Sequence, residues 1–265
     1  MMISSFNDGE KPARVIVHGD QWPVVSAAEH MVKALLPESE CETTFGLTTL
    51  LQRLSCYPDA LILLCLRPRE HIFLFYALKD ELLCHPALVI SDELLFSDRV
   101  VLHSWGGIPA VLHRELTRGI SLIRQGENRD SVKGRLSDFL SDPVPAMGYF
   151  AVPVTFNHPK RLMNYMSLLV HRATISCGLT PAQQKLLQEI HNGQRSLADM
   201  TDILDSGKKK IWQDKNQILI KLGMRNRLYE LLYGTWFRED IQRTEFMIPG
   251  DVQISRASHI LRGVS

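Results

Sequence analysis

The stretch from 206 to 227, "SGKKKIWQDKNQILIKLGMRNR", decides how the second half of this 265-residue chain is read. At 100° per residue, Ile211, Ile218 and Leu222 fall within about 20° of one direction, which predicts a helix over about 208–222 with one buried side. The opposite side then presents Lys209, Gln213, Asn216 and Ile220, flanked by Lys210 and Gln217, with Trp212 at the margin. Lysines supply phosphate contacts that set affinity and register. Glutamine and asparagine amides match the major-groove edge of adenine. Three cations at a helix start oppose the helix dipole, so an external anion would relieve them.

The flanking residues supply companions for this helix. "TPAQ" (180–183) is a capping box in which Thr180 caps, Pro181 takes the first helical position and Gln183 reaches back. Leu186, Leu187 and Ile190 form its buried side, and Asn192-Gly193 ends it. "SLAD" (196–199) opens a second helix with Leu197, Met200 and Leu204 at helical spacing, and "DSG" (205–207) is a tight turn. A fourth helix follows Asn226 through Leu228, Leu231 and Leu232. Short helices joined by a three-residue glycine-containing turn make a helix-turn-helix.

With those residues in view, 179–230 resembles the LuxR-type (NarL/FixJ) helix-turn-helix of bacterial transcription regulators. "LTPAQQKLLQEIHNG" matches the first helix, and "ILIKLGMRNR" matches the end of the third and the turn after it. The pattern departs at several positions. Gln183 replaces an acidic residue, one residue is inserted after Gly193, "DMT" (199–201) and "GKKKI" (207–211) replace the usual residues, and Asp214 stands for a histidine. The resemblance implies base or phosphate contact at Lys209, Lys210, Trp212, Gln213 and Asn216. The expected DNA-binding set is Lys208, Lys209, Lys210, Trp212, Gln213, Lys215, Asn216, Arg225 and Arg227.

The front of the chain alternates strand and helix. Short apolar runs at 14–17, 59–66, 87–91 and 108–112 read as strands, with helical patterns at 24–36, 44–58, 71–84 and 113–126. "DALILLCL" is continuously apolar, as a strand buried on both faces should be. Residues 98–107 fit either a helix or an irregular turn. This alternation predicts a doubly wound α/β unit with a parallel sheet. It is similar to the receiver unit that LuxR-type domains commonly follow. A receiver needs an acidic pair for Mg²⁺, an acceptor aspartate ending the third strand, a Ser/Thr and a lysine. Here Asp20 stands alone where the pair should be, and the acceptor position holds Leu64, which cannot carry a phosphoryl group. Ser91 matches the Ser/Thr position, and His113 takes that of the lysine. The resemblance therefore implies a degenerate receiver without phosphorylation chemistry. Asp59 precedes the strand and does not qualify as acceptor, and His18, Asp20 and His113 read as ordinary loop residues.

Composition sets the outer bounds. Hydrophobic residues make up 45% and charged residues 22%, as in soluble globular protein. Residues 1–120 carry ten Lys/Arg against fifteen Asp/Glu, whereas 176–238 carry ten against six, so the basic half attracts phosphate. Five cysteines without a C-x-x-C argue against a disulfide or metal framework and for a cytoplasmic chain. The start lacks the apolar core of a leader peptide, and the longest apolar run, 60–66, is too short for a bilayer. The expected organisation is an α/β pseudo-receiver over 1–126, a linker with a helix over 127–175, an all-α DNA-binding unit over 176–238 and a tail over 239–265. The expected function is sequence-specific transcription regulation on double-stranded DNA, without cofactor, metal, catalysis or membrane. Its expected state is a homodimer, or a heterodimer with a response regulator, with the leucines of the fourth helix as dimer element. The alternatives are a protein that sequesters another regulator, a reading that Asp214 on the third helix and the inserted residue favour, or a ligand-responsive regulator.

Overall fold

The computed structural model describes residues 13–116, 134–146, 150–152, 155–193, 197–225 and 228–248. Five strands, β1 (Arg14–Gly19), β2 (Glu40–Thr44), β3 (Leu61–Cys65), β4 (Ala87–Ser91) and β5 (Ala110–Leu112), form one parallel sheet in the order β2-β1-β3-β4-β5. This is the flavodoxin-like order of a doubly wound sheet. β3 and β4 are buried along their whole length. Central parallel strands covered on both faces read as unbroken apolar runs for this reason.

β2 is a strand that the sequence reading did not contain. "ECETT" is charged and half exposed, and the helical pattern assigned to 44–58 begins only at Leu47. It pairs as a parallel edge strand along β1, and the Arg14 guanidinium bonds both Glu40 and Glu42 across that pair. Backbone pairing and this ion-pair ladder, not an apolar pattern, hold the edge.

Helix α1 (Trp22–Leu35) covers one face, packing Val25, Ala28, Met31 and Val32 on Val15, Val17, Leu63 and Leu88. The same layer takes Leu136, Phe139 and Leu140 of α6 (Arg135–Ser141). The other face carries α2 (Leu47–Cys56), the short α3 (Ile72–Ala77) and α4 (Glu81–Cys84), and α5 (Phe96–Ser104). The helical pattern expected over 71–84 is thus two short helices, because the chain turns at Leu78. Residues 98–107 resolve into all but the first two residues of α5 and a bend at Trp105 to Gly107, both glycines having positive φ. Most of the closing helix expected over 113–126 lies outside the described residues.

Helix α7 (Pro159–Ser176) lays Leu162, Met163, Met166 and Val170 into the layer that α5 faces. The helices α8 (Pro181–His191), α9 (Leu197–Leu204), α10 (Lys208–Lys221) and α11 (Leu228–Gly234) follow and share that layer's core. Leu231 is fully buried where α11 meets α5 and α8, and Leu232 packs against the same core. These leucines are therefore not a free dimer surface, as the sequence reading had it; the chain uses them itself. No helix among the described residues is long and apolar enough to cross a membrane.

Residues 242 to 247, in the weakly patterned tail, form a strap across the carboxyl end of the sheet. The Gln242 amide accepts from Ile72 N–H at 3.0 Å and donates to the Arg69 carbonyl at 2.8 Å. The Arg243 guanidinium reaches Asp20 at 2.5 Å and Glu70 at 2.9 Å. Thr244 bonds His71 at 3.0 Å, and the Phe246 ring stacks on Tyr76 at 5.7 Å between centroids.

Candidate nucleic-acid interface

Helix α10 is positioned by polar groups that the helical-wheel reading only partly anticipates. The capping box of α8 forms as expected: Thr180 Oγ1 accepts from Gln183 N–H at 3.3 Å, and Gln183 Oε1 accepts from Thr180 N–H at 3.2 Å. Gln183 itself is buried and turns toward α10. Its Nε2 donates to Gln217 Oε1 at 2.8 Å, and its Oε1 accepts from Lys221 Nζ at 2.9 Å. A neutral amide here accepts from lysine and still donates, which an acid in its place could not do when ionised. Gln217 stays exposed at the flank of the outer face, as expected, while this bond ties it to α8.

The carboxyl end of α10 is capped from the front of the chain. Arg99 of α5 donates to the Leu222 carbonyl through Nη2 and to the Gly223 carbonyl through Nη1 at 3.5 Å. These are carbonyls that the helix end leaves without partners, and a cation there also meets the negative end of the dipole. Gly223 has φ of 58°, the left-handed conformation that a non-glycine residue enters at a cost. Tyr229 of α11 adds a second tie. Its hydroxyl donates to Glu93 at 3.0 Å and accepts from Arg69 at 3.2 Å. Nothing local in the sequence marks Arg99, Glu93 or Tyr229 as partners across more than a hundred residues.

With α10 held this way, Lys208, Lys209, Lys210, Trp212 and Gln213 are exposed and Lys215 and Asn216 half-buried. Arg225 is exposed beyond the helix end, where its backbone N–H donates to Glu230 at 2.6 Å. Arg227 lies outside the described residues. The helix carries five lysines against one aspartate, and that aspartate does not face outward. Asp214 is 7% exposed, lies 3.4 Å from the buried Gln183 amide and pairs with Lys210 at 3.4 Å. Asp214 therefore adds no negative charge to the outer face, because Gln183 covers it from the neighbouring helix.

At the sheet's carboxyl end, where a receiver would do its chemistry, Leu64 is fully buried among Ile16, Ile62 and Leu50. Arg67 occupies the edge beyond it, bonding Asp92 with two nitrogens and Glu70 at 3.1 Å. The His71 imidazole and then the Arg243 guanidinium hold the Asp20 carboxyl down at about 2. Ser91 Oγ donates to the Glu93 carbonyl at 2.8 Å. No group of three side chains able to hold a metal ion occurs among the described residues.

His18 is buried and bonds Thr44 Oγ1 through Nδ1 at 3.0 Å, and burial lowers its pKa to about 4. Because the unfolded chain protonates near 6.5 and the folded one does not, stability falls as pH drops from about 6.5 to 4. The loss from this one group reaches about 3 kcal/mol. Urea unfolding across that range should show a steeper fall for the native chain than for His18→Asn, and parallel curves would refute the assignment.

No protein-family model matches the chain, and no curated protein matches it. Among solved structures it is similar to the response regulator RcsB in complex with DNA, at 15% identity over 84% of this chain and 97% of that one, with a TM-score of 0.48. It is similar to RcsB from Salmonella enterica serovar Typhimurium bound to a promoter, at 17% identity over 83% and 97%, with a TM-score of 0.45. Full-length FixJ from B. japonicum matches at 13% identity over 84% and 95%, with a TM-score of 0.33. Identities of this size leave each residue's role to its own surroundings.

Proposed function

We propose that this chain is a sequence-specific regulator that reads double-stranded DNA through α10 and does so without phosphorylation. The observation that carries this reading is the outer face of α10. It sets the three lysines of its first turn, the Gln213 amide and the Trp212 indole in the open, with Lys215 and Asn216 half-buried beside them, on a helix whose buried side is locked by Gln183, Lys221 and Arg99. A rigid element of groove width with cations at its start and amides behind them suits phosphate positioning followed by base reading. The burial of Asp214 weakens one of the two features that favoured a purely sequestering protein, and the residue inserted after Gly193 is the other.

The front unit supports a platform role in this proposal. Leu64 offers no acceptor, and arginines already neutralise the carboxylates at the sheet edge. Pairing remains part of the reading, as a homodimer or with a response regulator, on a surface other than the leucines of α11.

Duplex binding measured against salt tests the reading. The native chain should show a steep linear fall of log affinity with log salt. Replacing Lys208, Lys209 and Lys210 together by alanine should reduce the slope by up to about 2.7, at about 0.9 per phosphate contact. A small phosphodonor with Mg²⁺ should change neither curve. Salt-independent or absent duplex binding would return the sequestering protein as the better account.

A further inference from the structure

Ile220 is 77% exposed, the most exposed of the large hydrophobic side chains among the described residues. A lone aliphatic group on a surface needs no explanation by itself. Its place on α10 sets this one apart. At 100° per residue, Lys209, Ile220 and Gln213 fall within about 40° of one direction, so Ile220 lies on the midline of the outer face. A branched alkane thus occupies the centre of a line otherwise made of a cation and an amide, on the helix with five lysines. Its neighbours one turn back and one residue on, Asn216 and Lys221, are polar, and Lys221 is drawn inward to Gln183 and the Gly178 carbonyl.

In the major groove, the apolar group that base pairs present is the thymine 5-methyl. We propose that Ile220 is a specificity-determining residue that packs on a thymine methyl, so that the DNA site combines an adenine read by Gln213 or Asn216 with a thymine at a fixed distance. Seven residues separate Gln213 from Ile220, about 10.5 Å along the helix axis. That is the rise of about three base pairs. The site therefore holds its methyl-read thymine about three base pairs from an adenine read by Gln213, or about two from one read by Asn216, which lies about 6 Å back along the axis. Trp212, 61% exposed, lies off this midline, on the side of Asn216. This inference rests on the DNA-reading proposal above and adds to it the class of base that the helix prefers.

The test uses the full chain and duplexes that it enriches from a random pool. Each thymine of the enriched site is replaced in turn by uracil, which removes the methyl and keeps the pairing. One uracil position should weaken binding by the worth of one methyl, about fourfold. Ile220→Ala, at an exposed position where folding is not at stake, should bind the thymine and uracil forms of that duplex equally. An enriched site in which no uracil matters, or an Ile220→Ala chain that keeps the fourfold difference, overturns the role of Ile220 while leaving DNA reading intact. Failure to enrich any duplex removes both proposals, and is told apart from the first two outcomes because those begin from a site that was enriched.

Discussion

Replacing Gln213 and Asn216 together by alanine will leave a chain that binds duplex DNA about as tightly as the native protein binds random sequence, without preferring any site. The lysines at the start of α10 and Arg225 remain, so the sequence-independent electrostatic part of the affinity persists. What goes is two amides able to bond adenine bidentately, each worth about 1–3 kcal/mol of discrimination. Preference over random duplex should therefore drop by about 30-fold to 10⁴-fold, read by competition at fixed salt. The lysine triple variant makes the complementary case: uniformly weaker binding with the ranking of sites preserved. A double-alanine chain that still ranks sites as the native one does would show that another surface reads the bases.

Replacing Asp98 by alanine will lower the unfolding free energy by about 3–5 kcal/mol, read as a large fall in the urea midpoint. Arg69 is 1% exposed and Asp98 is fully buried. Asp98 accepts from the Arg69 backbone N–H at 2.8 Å, from Arg69 Nη1 at 2.6 Å and from the Leu95 N–H at the start of α5 at 2.8 Å. Burial raises the Asp98 carboxyl above its ordinary value, and the Arg69 guanidinium opposes that rise. Removing the carboxylate takes from the buried Arg69 guanidinium its buried partner, leaving it only Glu93, Glu70 and Tyr229, and orphans two backbone donors. Removing both charges at once, as Arg69→Met with Asp98→Leu, should cost less than Asp98→Ala alone, because no buried guanidinium is then left short of its buried carboxylate. If Asp98→Ala cost under about 1 kcal/mol, the pair would be of the exposed, weak kind. α5 also carries Arg99, which caps α10, so loosening α5 should weaken DNA binding before the chain unfolds.

The parts of this molecule legible in its sequence are those whose signal is local. Ile211, Ile218 and Leu222 announced the buried side of α10, and Thr180 to Gln183 announced the cap of α8. The unbroken run 59–66 announced β3 because both its faces are covered. β2 escaped because an edge strand held by backbone pairing and by Arg14 needs no apolar alternation. The burial of Asp214 was not legible because it lies about 60° from the centre of the buried stripe, where a wheel cannot decide and a neighbour's side chain does. Arg99, Tyr229 and Arg243 were invisible for a different reason. Their partners lie far along the chain, and a contact of that span leaves no period in either segment.

The strap has a consequence for how the chain is made. A ribosome adding about 5–20 residues per second lets early domains fold first. The Gln242 amide meets Arg69 across 173 positions, so roughly 10–35 s of synthesis separate the two halves of that contact at this pace. Throughout this interval Asp20 and Glu70 lack Arg243, and Phe73 and Tyr76 lack the ring of Phe246. A layer made early is thus finished by residues that arrive about 170 positions later. Until then the nascent chain shows an acidic, aromatic edge, a natural hold for a chaperone and a point where translational stalling would leave the fold unsealed.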